Sequence, residues 1–197
     1  MNKIQNFIDE KIAEIAKEKV VLDAGGGERF QKWLAPYKDL FKNCDYKTLD
    51  LDATSSPDIV GDIHNIPLNN ESVDAVLCHS LLEHVQNPIR AVSEIHRILK
   101  WNGKIFGYVP SIYPYHARKG IYEDHWRFFD DTLKFLLKDF QKVEIVKRGG
   151  YFMALSFFIP HRHILGRFWD VVAAFLDKIL GMDKRSTTAG YYFYAIK

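Results

Sequence analysis

The sequence predicts an α/β protein built on a doubly wound, parallel sheet, and three observations carry that prediction. Short aliphatic runs alternate along the chain with segments of helical periodicity. The first run, Val20-Val21-Leu22, ends in Asp23 and passes directly into Ala24-Gly25-Gly26-Gly27. Two later runs also end in acids, at Asp50 and Asp62.

Taken in order, Ile4, Ile8, Ile12 and Ile15 recur at helical spacing among charged residues, which predicts an amphipathic helix over 3–18. The strand Val20–Asp23 follows. Its glycine turn lets backbone amides approach something bulky and polar, because a Cβ would block that approach and the turn favours positive φ. The turn is expected to lead into a helix N-terminus, a common seat for a ligand. Residues 30–41 read as a helix and a loop broken at Pro36. Strands are expected at 46–50, 59–63 and 73–78, then a helix over 87–100 with Pro88 near its start and Gly103 just past its end. A strand at 104–110, a helix at 130–138 and strands at 141–147 and 191–196 complete the alternation.

Two segments stand outside that alternation. Residues 111–129 form a long loop rich in aromatic residues and His, and loops of this length in a compact domain are usually functional. Residues 157–182 carry an apolar stripe at helical spacing (Ile164, Leu165, Phe168, Val172, Phe175, Leu176, Ile179), with Arg167, Asp170, Asp177 and Lys178 on the other face. The stripe suits a cap on the core or a homodimer interface. A membrane surface is the alternative, and the mixed charge of the polar face makes that contact weak.

The 197 residues suit one domain, 1–197, with a helical insertion at about 151–188 before the last strand. A net charge of +2 is too mild to indicate nucleic acid, and no nucleic-acid partner is expected. Cys44 and Cys78 lack metal-type spacing and read as reduced, buried thiols, so a cytoplasmic location is expected. The charged N-terminus has no signal-peptide character, and no transmembrane span is expected.

An acid about 27 residues beyond Asp23, at a strand end, is placed to accept hydrogen bonds from both hydroxyls of a ribose, which is the reading for Asp50. Asp62 is placed to take the exocyclic amine of an adenine while Ile63 packs the ring. Glycine loop, ribose acid and adenine acid stand in the chain order an adenosine requires.

From here the chain resembles the class I S-adenosylmethionine-dependent methyltransferases, especially those with the methyltransferase-11 type domain. The resemblance covers about residues 18–147. It rests on six blocks in order: 21–27 (Val-Leu-Asp-Ala-Gly-Gly-Gly), 49–52 (Leu-Asp-Leu-Asp), 61–67 (Gly-Asp-Ile-His-Asn-Ile-Pro), 72–78 (Ser-Val-Asp-Ala-Val-Leu-Cys), 81–85 (Leu-Leu-Glu-His-Val) and 94–103 (Glu-Ile-His-Arg-Ile-Leu-Lys-Trp-Asn-Gly). It implies a seven-stranded, Rossmann-like sheet with an antiparallel last strand and S-adenosylmethionine as cofactor. Residue by residue, it places Asp23, Ala24, Gly25, Gly26 and Gly27 around the methionine part of that cofactor. Asp50 and Leu51 fall at the ribose, Asp62 and Ile63 at the adenine, and His79 faces the transferred methyl. Arg29 stands where the family often has a further glycine, at the mouth of the site.

Methyl transfer from a sulfonium is an in-line displacement in which the protein mainly positions the nucleophile. A hydroxyl or amine acceptor benefits from a base with a pKa near 7, which favours His. The candidates are His79, His84, His116 and His125, of which His84, with Glu83, reads rather as holding the helix after the fourth strand. Tyr115, His116, His125 and Arg127 are the candidate acceptor contacts. The 111–129 loop resembles that of methyltransferases associated with bacterial cell-surface polysaccharide synthesis, so a saccharide O-methylation ranks first. A quinone-like or other aromatic small molecule ranks second, and a non-catalytic cofactor-binding regulatory or scaffold module is the alternative of a different class. His161 and His163 flank Arg162, but no nearby carboxylate or thiol completes a ligand set, and no metal is expected.

Overall fold

The computed structural model describes residues 3–31, 33–160 and 162–197, without the side chains of Arg162 and His163. Among the described residues five α-helices and seven strands follow in chain order: α1 (Lys3–Ile15), β1 (Val20–Ala24), β2 (Asp45–Asp50), β3 (Ile59–Val60), β4 (Val73–His79), α2 (Pro88–Ile98), β5 (Leu99–Pro110), α3 (Asp130–Leu136), β6 (Lys142–Lys147), α4 (Tyr151–Ser156), α5 (Arg162–Ile179) and β7 (Gly190–Ile196). The strands form one sheet in the order β3-β2-β1-β4-β5-β7-β6. The first five pair in parallel, and β7 runs antiparallel between β5 and β6.

The two faces of the sheet follow from the pleat. Leu22, Val76, Ile105 and Phe193 point to one face, where α2 lays down Ala91, Val92, Ile95 and Ile98 and α3 adds Leu133 and Leu136. Their chain neighbours Val21, Leu77, Phe106 and Tyr194 point to the other face and meet Ile8, Ile12 and Ile15 of α1. Both faces are covered, so the central strands are apolar on both sides. The start of α2 is fixed locally: the Asn87 side chain accepts from Arg90 N at 3.0 Å, and Pro88 occupies the first turn.

Several elements depart from the sequence expectation. Among the described residues no α-helix directly follows the glycine turn; Phe30 takes a left-handed φ of 56°, and a 3₁₀ segment spans Ala35–Asn43. Pro36 interrupts the helical pattern, while Phe30 stacks on Tyr46 at 4.2 Å and Leu34 is fully buried against the sheet. β3 ends at Val60 rather than 63, because the Asp62 side chain caps a turn by accepting from His64 N at 2.8 Å. β5 begins at Leu99, so Gly103 lies inside the strand rather than beyond a helix end. A Cβ there would stand 2.8 Å from Lys100 O, and the register between β4 and β5 shifts at this point. Both cysteines are free, with Cys78 buried but Cys44 only half-buried.

Between β6 and β7 the chain forms α4, α5 and a short 3₁₀ turn. Asp177 was expected on the polar face of its helix, yet it is buried. Its carboxylate accepts from Gly150 N, Phe152 N and Met153 N at 2.8, 2.8 and 3.1 Å, satisfying the free amides at the start of α4. The helix turns this acid and Ala173 inward, so Ile164, Leu165, Phe168, Phe175 and Ile179 stand 55–69% exposed rather than capping the core. No described helix is long and apolar enough to cross a membrane.

Candidate active site

The carboxyl ends of β1, β2, β4 and β5 bring the glycine turn, Asp50, His79 and the 111–129 loop to one edge of the sheet. In open α/β sheets this is the edge where ligands bind. Ala24 is buried at the end of β1, and Gly25 donates to Leu49 O at 2.8 Å, so the turn begins in the sheet itself. Gly25 has a φ of 74°, and a Cβ on it would stand 2.9 Å from Leu81 Cδ1. A Cβ on Gly26 would meet the Asp23 carboxylate at 2.7 Å. Gly27 also takes a positive φ, 50°. The turn can therefore exist only without side chains at these positions.

Asp23 points inward. Tyr46 donates its hydroxyl to Asp23 Oδ2 at 2.5 Å. Burial pushes the Asp23 pKa up to about 7, and the nearby Asp50 charge adds to the rise, against the hydrogen bond from Tyr46. Asp23 thus shapes the turn from beneath. Arg29, at the mouth, pairs with Asp58 through Nη2–Oδ1 at 2.6 Å and Nε–Oδ2 at 2.9 Å. Asp58 also accepts from Thr48 N at 2.9 Å, so Arg29 ties the glycine turn to the β2–β3 region rather than closing the mouth.

Asp50 keeps its carboxylate largely available, with Oδ1 accepting only from Asp52 N at 2.9 Å among the described residues. Leu51 beside it is 71% exposed. Asp62 accepts from His64 N at 2.8 Å and from His64 Nδ1 at 2.7 Å. The His64 tautomer follows from the bond that its Nε2 accepts from Asn87 N at 3.2 Å. Burial would raise the Asp62 pKa, but the His64 bonds outweigh it and hold the carboxyl below its usual value. Ile63 is buried in the main core.

His79 ends β4 with its ring between two aromatics, stacked on Trp33 at 4.2 Å and on Tyr108 at 5.2 Å. Burial depresses its pKa to about 3, helped by the Arg148 charge. The ring is neutral near pH 7 and a weak proton acceptor. Trp33 and Arg148 were not singled out in the sequence. Arg148 follows β6 and lies over the Tyr108 ring at 5.2 Å, a placement that no local pattern signals.

The 111–129 loop is a fixed strap. Its start is tied to the segment just before β7, with Ser111 N donating to Ala189 O at 2.9 Å. Its far side is tied to the turn after β4, where Glu83 O accepts from His125 N at 2.8 Å and from Trp126 N at 3.2 Å. Trp126 Nε1 donates to Val85 O at 2.8 Å. The Arg127 guanidinium is fully engaged inside the loop. It bridges Asp124 through Nη1–Oδ1 at 2.6 Å and Nη2–Oδ2 at 2.7 Å, and donates to Tyr113 O, Pro114 O and Trp126 O. The Asp124 side chain is 0% exposed, and Arg127 holds its pKa well below the usual carboxylate range. His116 N donates to Asp124 Oδ2 at 2.8 Å, and His116 Nδ1 lies 3.2 Å from the same oxygen. His125 Nε2 lies 3.1 Å from Glu123 Oε2. Tyr115 is 77% exposed.

Glu83 and His84 do not sit on a helix, because α2 begins only at Pro88. Glu83 is buried and its pKa is pushed up to about 8 by that burial. His161 and the side chain of His163 lie outside the described residues.

Comparison with known proteins agrees with this geometry. Residues 22–107 match the sequence model of the methyltransferase-11 family, described as a methyltransferase domain. An uncharacterized protein of Methanocaldococcus jannaschii is 28% identical over 194 residues, covering 89% of this chain and 84% of that protein. A SAM-dependent methyltransferase from Archaeoglobus fulgidus superposes with a TM-score of 0.65 at 16% identity, over 98% of this chain and 93% of that one. Phosphoethanolamine N-methyltransferase 2 of Haemonchus contortus, solved with S-adenosyl-L-methionine, superposes with a TM-score of 0.58 at 14% identity, over 100% of this chain and 53% of that one. The seven-stranded sheet with its reversed β7 is the fold of these solved methyltransferases, and the match to the methyltransferase domain runs from β1 into β5.

Proposed function

We propose that this methyltransferase is a single domain, with residues 151–188 as a helical insertion, and that it O-methylates a saccharide hydroxyl beneath the 111–129 strap. The observation that carries the reading is the strap itself: a pre-ordered loop across the ligand edge that presents Tyr115 and Trp126 partly to solvent. Aromatic faces with interspersed polar groups suit a sugar, whose rings offer both C–H faces and hydroxyls.

The cofactor brings a sulfonium-activated methyl group, and the chain's residues hold and orient it. The glycine turn offers backbone amides where side chains are excluded. Asp50 accepts the ribose hydroxyls, since its carboxylate is little used within the chain. Asp62 keeps one oxygen for an exocyclic amine while the other is held by His64. Contact with the ring passes from the buried Ile63 to the exposed Leu51. His79 lines the site as a neutral aromatic wall, and the proton of the acceptor is taken from the strap side, where His116 and His125 stand.

The test is transfer of labelled methyl from S-adenosylmethionine into fractionated extracts. Label in nucleotide-sugar or oligosaccharide fractions supports the reading, and label in apolar aromatic fractions replaces it with quinone-type methylation. Tight cofactor binding with no labelled product in any fraction would point to the non-catalytic module. Within an active enzyme, His79→Phe should leave any pH–rate limb near 6–7 in place. Loss of that limb would return the base role to His79.

A further inference from the structure

Two adjacent residues of the turn after β4 meet one residue of the strap. Glu83, His84 and His116 each offer one ligand atom, and these atoms all lie within 4.8 Å of one another. His84 Nε2 and His116 Nε2 each lie 3.9 Å from Glu83 Oε1. Glu83 Oε2 is buried with no hydrogen-bond partner. A buried carboxyl oxygen left without a partner is costly unless a proton or a cation meets it.

The opposite ring nitrogens are already engaged. His84 Nδ1 lies 2.6 Å from Glu123 O, and His116 Nδ1 lies 3.2 Å from both Asp124 Oδ2 and Pro114 O. A carbonyl or carboxylate on Nδ1 places the ring proton there and leaves Nε2 with a free lone pair. That is the outer-shell arrangement of metal-ligating histidines, in which the second ring nitrogen is held by an oxygen acceptor. Both Nε2 atoms face the same carboxylate. Ligand atoms around a tetrahedral zinc stand about 3.4 Å apart for bonds near 2.1 Å. Closing 3.9 Å separations to that value needs only small side-chain rotations.

We propose that Glu83, His84 and His116 form a divalent-cation site of the zinc class that clamps the 111–129 strap to the turn after β4. Two imidazoles and a carboxylate suit zinc, and three protein ligands leave a fourth position for water or an oxygen of a bound molecule. The site does not depend on the acceptor's identity, and a cation on His116 Nε2 leaves His125 as the base on the strap side. Sequence spacing hid it, because α2, β5 and the first residues of the strap separate His116 from His84.

The test titrates Zn²⁺ and Co²⁺ into chelator-stripped full-length protein. One equivalent should bind, the Co²⁺ form should show the visible absorption of a tetrahedral ion, and amide exchange across 113–126 should slow on binding. His116→Gln and Glu83→Gln should each weaken binding at least tenfold, the range by which even outer-shell losses weaken metal sites. Far-UV circular dichroism and calorimetric S-adenosylmethionine binding, measured on each variant, separate loss of the site from loss of the fold or of the cofactor assignment. Substoichiometric binding by the wild type, or equal binding by folded variants, overturns the site. Binding without slowed exchange in the strap overturns the clamp.

Discussion

The two halves of the ligand edge are built on opposite plans. On the β1–β2 side, the groups at the strand end are left largely free. Asp50 accepts one hydrogen bond from Asp52, and Leu51 is open to solvent. On the strap side, charged groups are spent on one another, with Arg127 donating to Asp124 and three carbonyls and Asp124 accepting from both Arg127 and His116. The first half is a rigid turn beside one carboxylate left open. The second is a surface held in place by its own charges, so a charged residue in it is a staple before it is a contact. Arg127 was expected to touch the acceptor, and the structure shows it engaged in holding the loop.

The comparison breaks first at Arg127. Arg127→Ala leaves Asp124 buried without its partner, and removing one member of a buried pair costs about 3–5 kcal/mol. Urea unfolding should show that loss, and Arg127→Lys should not restore it, because an ammonium cannot reproduce the bidentate fork. Cofactor affinity should stay within about twofold, roughly 0.4 kcal/mol. A stable Arg127→Ala protein with weakened acceptor binding would restore Arg127 as a contact.

Asp50→Ala probes the other half. It should weaken S-adenosylmethionine by about 2–3 kcal/mol in calorimetry, since hydrogen bonds to a charged group contribute about 1.5–3 kcal/mol each, with little loss of stability. Unchanged affinity in a folded protein would move the ribose site elsewhere. Tyr46→Phe comes next. It removes the hydroxyl that donates to buried Asp23 and should cost about 1–3 kcal/mol of stability.

The smallest effect is in pH dependence. Asp23 rises from 3.8 to about 7 and Glu83 from 4.5 to about 8 on burial. A raised carboxyl holds its proton more tightly in the folded chain, so its stabilising effect is complete below the unfolded value and is lost as pH rises through these windows. His79 falls from 6.5 to about 3, so the unfolded chain binds that proton more tightly and stability is lost as pH falls through 6.5–3. Thermal midpoints of Asp23→Asn relative to wild type should therefore rise between pH 4 and 7. Those of His79→Phe should rise relative to wild type below pH 6. Parallel profiles for either variant would mean that the group is not buried in the charge state assigned to it.

Much of this was legible in the sequence. The alternation of strands and helices is written in local hydrophobic period, and the strand-turn-acid blocks lie within a few residues of each other. Glycine permissiveness and a strand-end carboxylate are local properties, so Asp50 and the turn at Gly25 could be placed before any coordinates. The reversal of β7 came from family resemblance rather than from its own residues. The missing helix after the turn was harder to read, because Phe30 and Leu34 are drawn to the sheet while Pro36 interrupts the pattern. Asp177 was misplaced for a related reason: its helical position was right, but the amides of α4 that bury it lie more than twenty residues away.

The sequence by itself determined the order of most elements, the glycine turn and the acids at the strand ends, because those depend on interactions among near neighbours. The tertiary structure decided which charges are consumed, which histidine is neutralised between Trp33 and Tyr108, and which three ligand atoms meet under the strap. Partner choice and desolvation arise only when distant segments pack, and they set whether a polar group binds a ligand, a proton or its own chain.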